Sequence, residues 1–131
     1  MKILIVDDSE SCRLRICKIL SEDPNDYYIF QAENGLEALS VIEQNQELDL
    51  ILSDINMPEM DGIALLKSLR ERNEGEKLPF LIYSTECSEE LKSIAKDFNA
   101  TAWLLKPAKP KTIMMAINRI KKSIIFLPEK T

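Results

Sequence analysis

Three aspartates stand where short apolar runs end. Asp7-Asp8 directly follow Ile3-Leu4-Ile5-Val6, and Asp54 directly follows the run from Leu48 to Ser53. If these runs are strands of a doubly wound sheet, ligands bind beyond their carboxyl ends. If the first and third strands are neighbours, the three carboxylates converge, and like charges that close repel strongly unless a cation sits among them. Oxygen ligands without His or Cys select a hard cation, and a small ligand set with room for water favours Mg²⁺. Lys106 follows a fifth run, Ala102 to Leu105, so its ammonium belongs to the same rim. Ser84 and Thr85 close the fourth. A metal, a fixed positive charge and a hydroxyl are what is needed to hold a phosphoryl group. Each piece alone is weak: an Asp after a strand commonly caps the next helix, a Lys-Pro commonly shapes a loop, and Ser-Thr commonly caps. The combination is stronger, because every strand end except the second carries a matching group.

The elements that must position these residues alternate regularly. Ile3 to Val6 predicts a buried strand, and Ser11 to Leu20 a helix, ending in the turn-rich Glu22 to Asp26. Tyr27 to Ala32 predicts a second strand, broken by Asn34-Gly35 before a helix over Leu36 to Gln44. Leu48 to Ser53 is the third strand. Met57-Pro58 and Asp61-Gly62 mark a loop, followed by a helix over Ile63 to Arg72. Pro79 to Ser84 is the fourth strand. Ser88 is a suitable N-cap, with Glu89 and Glu90 placed where the helix dipole favours acids. That helix runs to about Phe98, and Asn99 can take the left-handed closing conformation. After the fifth strand, Pro110 suits a helix start, and the last helix runs to about Lys122. Five strand–helix alternations predict an α/β fold, a five-stranded parallel sheet with helices on both faces. We divide the chain into one domain over 1–123 and a short apolar tail over 124–131, expected to fold back on the body.

Composition excludes much else. The chain has 131 residues, 45% hydrophobic and 30% charged, which is ordinary for one globular domain. No apolar run approaches the ~18 residues of a membrane span, and Met1 to Glu10 lacks the pattern of a secretory signal. Three cysteines without a C-x-x-C fit a reduced, cytoplasmic setting. The absence of His removes His-ligated metals and Ser-His-Asp or Cys-His catalysis. Net charge is −5, which disfavours DNA binding. From Thr101 onward, however, seven Lys or Arg face one acid, giving +6 there and −11 elsewhere. A basic end on an acidic body suits an acidic partner, or supplies a cation aimed at an anion; it also describes an ordinary solvated helix face.

The set Asp7-Asp8 after ILIV, Asp54 within SDINMPEMDG, Ser84-Thr85 after FLIY and Lys106-Pro107 after WLL resembles the receiver domain of two-component response regulators. The resemblance runs from Met1 to about Lys122 and implies the flavodoxin-like strand order 2-1-3-4-5. It implies that Asp54 is the phosphoacceptor. Asp8 and Asp54 would ligate Mg²⁺, with Asp7 helping through water and Asn56 giving a backbone carbonyl. Lys106 would bind the phosphoryl group, Ser84 would be the switch hydroxyl with Thr85 beside it, and Trp103 the switch aromatic. The Lys106–Pro107 bond would be cis. Asn56 and Glu86 occupy the two variable positions that flank the phosphoryl group and set its lifetime; both are polar and able to hydrogen-bond a water. The chain departs from the pattern at Ala108, where Phe is common, and at Asn99-Ala100, where Gly is common.

Within this family the stretch from Thr85 to Pro107 is similar to single-domain, CheY-like chemotaxis regulators. That implies a cytoplasmic switch rather than an enzyme with a substrate of its own, catalysing only its own Mg²⁺-dependent phosphorylation and dephosphorylation. A histidine kinase or histidine phosphotransferase would supply the phosphate. An output protein, such as a flagellar motor component, would dock on a face carrying Ser84, Trp103, Lys106 and the basic last helix. A phosphorelay intermediate that passes its phosphate to a histidine phosphotransferase is the alternative. A metal-dependent phosphatase with an Asp nucleophile would want an acid where Asn56 stands, and a flavin carrier would want a Gly- and hydroxyl-rich loop where Asp7-Asp8-Ser9-Glu10 stand.

Overall fold

The computed structural model describes residues 1–72 and 77–130, with side chains described up to Lys122. Five parallel strands form one sheet: β1 (Lys2–Val6), β2 (Tyr28–Ala32), β3 (Leu50–Ser53), β4 (Phe80–Ser84) and β5 (Ala102–Leu105). They are ordered β2-β1-β3-β4-β5, the order the resemblance implies. The helices between them are α1 (Glu10–Ser21), α2 (Gly35–Gln44), α3 (Gly62–Arg70), α4 (Glu89–Asp97) and α5 (Pro110–Lys130).

The unbroken apolar runs follow from burial on both faces of the sheet. Side chains alternate between faces along a strand. Ile3 and Ile5 of β1 therefore join Ile16, Ile19 and Leu20 of α1 and Ile113, Ile117 and Ile120 of α5. Leu4 and Val6 point the other way, toward Ala38 of α2, Leu65, Leu66 and Leu69 of α3 and Ala95 of α4. Two cores thus clamp one sheet, and its carboxyl-end rim is held from both sides.

Most helix starts are capped by side chains that accept a backbone N–H. Ser9 caps α1 through Cys12, Asn34 caps α2 through Glu37, Asp61 caps α3 through Ala64 and Ser88 caps α4 through Leu91. Asn34-Gly35 separates β2 from α2 as expected, and it is also the cap and first residue of α2, one residue earlier than the expected start at Leu36, because a helix start and a strand stop use the same residue types. The third strand begins at Leu50, two residues later than expected. Asn99 has φ 59, the left-handed closing conformation expected of it. The α5 backbone helix extends to Lys130, beyond the expected end near Lys122. Whether the apolar side chains of 124–127 fold back on the body lies outside the described side chains.

Gly62, at the start of α3, lies against the strand it follows. A Cβ there would come 2.1 Å from the Asp54 carbonyl oxygen, and its N–H donates to the Ile55 carbonyl at 2.8 Å. In an ordinary helical position Gly→Ala stabilises by up to about 1 kcal/mol. Here the clash reverses the sign. Gly62→Ala should lower stability by about 1–3 kcal/mol, the usual range for forced overpacking, and thermal denaturation measures it.

Candidate functional site

The β1–β3 pairing sets Val6 opposite Ser53, so the residues that follow, Asp7 and Asp54, leave the sheet side by side. The Asp54 N–H reaches back to the Val6 carbonyl at 2.9 Å. Asp7 is buried, Asp54 half-buried and Asp8 exposed, and one carboxylate oxygen from each lies within 4.8 Å of the others. This is the one such cluster able to hold a metal ion among the described residues. Its donors are all oxygen, which fits a hard divalent cation.

Lys106 reaches the cluster from beyond β5. Its ammonium donates to Asp7 Oδ2 at 2.7 Å and Asp54 Oδ2 at 2.9 Å. Side-chain exposure is 13% for Lys106, 6% for Asp7 and 13% for Asp54, so water screens these charges only in part. Burial pulls the lysine pKa down, but the hydrogen bonds and charges of Asp7 and Asp54 outweigh it and hold the pKa above its usual value. The ammonium therefore stays charged throughout the neutral range. The Tyr83 ring lies 5.5 Å from it, and Cys12 Sγ is 3.8 Å away.

Other atoms fix the two acids. The Ile55 N–H donates to Asp54 Oδ1 at 2.6 Å, and the Ser9 N–H to Asp7 Oδ1 at 2.9 Å. Buried Arg13 donates to the Asp7 backbone carbonyl at 2.5 Å and to Gln31 at 3.0 Å, tying α1 to the β1 end and to β2. The sequence did not point to Arg13, and it marked Gly62 only as part of a loop signal. An Arg one turn into the helix after an acid pair, and a Gly eight residues after Asp54, were the available signals.

Ser84 ends β4, fully buried, while Thr85 is exposed at the rim. The Glu86 N–H donates to Ser84 Oγ at 3.2 Å, and the Trp103 indole donates to the Glu86 carbonyl at 3.1 Å. The Asn56 amide donates to the Glu86 carboxylate at 2.8 Å. Glu86 thus joins Ser84, the half-buried Trp103 and the loop after Asp54. The sequence marks Asn56 and Glu86 as polar side chains able to hydrogen-bond a water. The structure pairs them with each other, because the β3 and β4 ends adjoin. The Lys106–Pro107 peptide is cis.

An acid cluster at the β1 and β3 ends, a lysine from β5 and a hydroxyl from β4 on a 2-1-3-4-5 sheet define a response-regulator receiver. The response regulator receiver domain family matches residues 3–118, and the chain belongs to that family. It is similar to the chemotaxis protein CheY-3 of Vibrio cholerae, 35% identical over 120 residues, covering 92% of this chain and 91% of that one. A CheY homologue of Campylobacter jejuni is 31% identical over 113 residues, 86% of each chain. Among solved structures, CheY4 of Vibrio cholerae superposes with a TM-score of 0.83 at 36% identity, covering 91% of this chain and 97% of that one. No helix among the described residues is long and apolar enough to cross a membrane.

The ammonium between two mostly buried carboxylates generates a test. Lys106→Met leaves that pair without its cation and should cost about 2–3 kcal/mol, somewhat less than the loss of one partner in a fully buried pair. Added divalent cation should restore more stability to the variant than to the wild type, because the metal no longer competes with the lysine. Melting curves with and without the cation measure both effects.

Proposed function

We propose that this receiver is a phosphorylation-controlled switch whose phosphoacceptor is Asp54, acting in a chemotaxis or motility pathway. The observation that carries the reading is the Lys106 ammonium held jointly by Asp7 and Asp54, with Asp8 alongside. A carboxylate oxygen of Asp54 attacks the phosphorus of a phosphohistidine on a histidine kinase. The P–N bond breaks, the imidazole leaves, and an acyl phosphate forms on Asp54. Mg²⁺ held by Asp8, Asp54 and the Asn56 backbone carbonyl, with Asp7, would neutralise phosphoryl oxygens. Lys106 exchanges its Asp54 contact for a phosphoryl oxygen, and the Ser84 hydroxyl donates to another.

That exchange gives the switch its lever. Ser84 must release its bond from the Glu86 N–H to turn toward the phosphoryl group, and Glu86 also carries the Trp103 indole. Trp103 and exposed Leu105 lie on β5, the edge strand of the sheet, and the helix that follows, α5, carries exposed Met115, Lys111, Arg119 and Lys122. The Lys92 ammonium lies 5.9 Å from the Trp103 ring. This apolar and basic face suits an output protein that presents acidic groups around an apolar anchor. The chemotaxis assignment is supported by the relatives named above and by the polar Asn56 and Glu86 at the two flanking positions, neither of them a bulky apolar shield against water.

Asp54→Asn should abolish phosphorylation by a kinase or a small acyl phosphate, read by intact mass. Undiminished modification of that variant would sink the assignment. In the wild type, Mg²⁺ should raise the melting temperature and change Trp103 fluorescence, and Asp8→Ala should weaken both responses.

Asn56→Arg or Glu86→Lys should lengthen the phosphorylated lifetime several-fold, since each tenfold needs only ~1.4 kcal/mol of added barrier. Phosphate release at the wild-type rate from both variants would show that these side chains do not govern water access.

A further inference from the structure

We propose that Tyr83, braced by Arg15, is a positioning residue that aims Lys106 at the phosphoacceptor site. The inference rests on the reading of Asp54 and Lys106 given above and concerns residues outside that set. Lys106 sits on a short connection between β5 and α5. Its own N–H donates to the Ser84 carbonyl at 2.8 Å, which anchors the near side. The far side is anchored two residues on, at Ala108. The Ala108 N–H donates to the Tyr83 hydroxyl at 3.1 Å. The Arg15 guanidinium then closes a ring: one nitrogen donates to the same hydroxyl at 3.2 Å, and another to the Ala108 carbonyl at 2.8 Å. Both backbone polar groups of Ala108 are therefore held, one from β4 and one from α1.

The Tyr83 ring also serves the lysine directly. It is buried, and the Lys106 ammonium stands 5.5 Å from its centroid. An ammonium over a tyrosine face is attracted to it, so ring and hydroxyl act on the same loop at two points. Lys106 has a long, flexible stem and would lose its aim without such supports. Where the family commonly has a bulky Phe, this chain has Ala108, half-buried against the core shared by α1 and α5. Tyr83 and Arg15 hold the Ala108 backbone from two other elements. The arrangement explains how the loop stays fixed although its own side chain is a single methyl group.

Positioning differs from general support of the fold in a measurable way. Lys106 helps hold an incoming phosphoryl group but competes with a divalent cation for Asp7 and Asp54. Loosening its aim should slow phosphorylation while leaving cation affinity equal or higher. Loosening the whole rim should weaken both.

The experiment uses the full chain with acetyl phosphate and saturating Mg²⁺. Phosphoryl uptake is read by intact mass, Mg²⁺ affinity by Trp103 fluorescence, and stability by melting. Tyr83→Phe, which removes only the hydroxyl, and Arg15→Gln, at an exposed position, should each slow uptake by roughly three- to tenfold, the scale of one or two hydrogen bonds. Mg²⁺ affinity should not fall in either. Adding Tyr83→Phe to Lys106→Met should produce no further slowing, because the two act through one group. Uptake at the wild-type rate in both single variants overturns the inference alone, as does a further loss on the Lys106→Met background. A parallel fall in uptake, Mg²⁺ affinity and melting temperature also overturns it and makes the brace a support of the fold. A wild-type chain that takes up no phosphoryl group overturns the phosphoacceptor reading itself.

Discussion

Three carboxylates at one rim of a sheet are an electrostatic problem, and the Lys106 ammonium is its solution within the chain. Asp7 and Asp54 are largely withdrawn from water, where their repulsion is weakly screened. One ammonium shared between them satisfies an oxygen of each. Backbone N–H groups of Ser9 and Ile55 satisfy the others. Both acids are thus satisfied within the chain, and the lysine is the group with which a cation at this site would compete.

The fold makes that arrangement possible through register. Val6 lies opposite Ser53, which brings Asp7 and Asp54 level. Parallel pairing of β4 with β5 brings Ser84 level with Leu105, one residue short of Lys106. A shift of either register by one residue would turn a functional side chain to the wrong face. The two cores that clamp the sheet therefore do more than stabilise it. Gly62 shows how tightly the support fits, since α3 starts so close to the Asp54 carbonyl that no Cβ can intervene.

Glu86 links the site to the surface. Its N–H, carbonyl and carboxylate engage Ser84, Trp103 and Asn56 in turn. The hydroxyl of Ser84 and the aromatic residue on β5 are thus joined through one intervening residue.

Much of this was legible in the residues themselves. Short apolar runs between amphipathic segments announced a two-sided parallel sheet, and the acids, hydroxyls and lysine after those runs had to lie at one rim, since parallel strands share a carboxyl end. The caps at Ser88 and Asn99 were legible too, because they depend on local backbone chemistry alone. The pairing of Asn56 with Glu86, the grip of Arg13 on Asp7, and the ring of Arg15, Tyr83 and Ala108 were not. Each joins side chains from different elements, and their distances are set by strand register and by the depth at which α1 packs on the sheet. Local periodicity determines which face a residue takes; only the assembled tertiary structure decides which atom of another element it meets there.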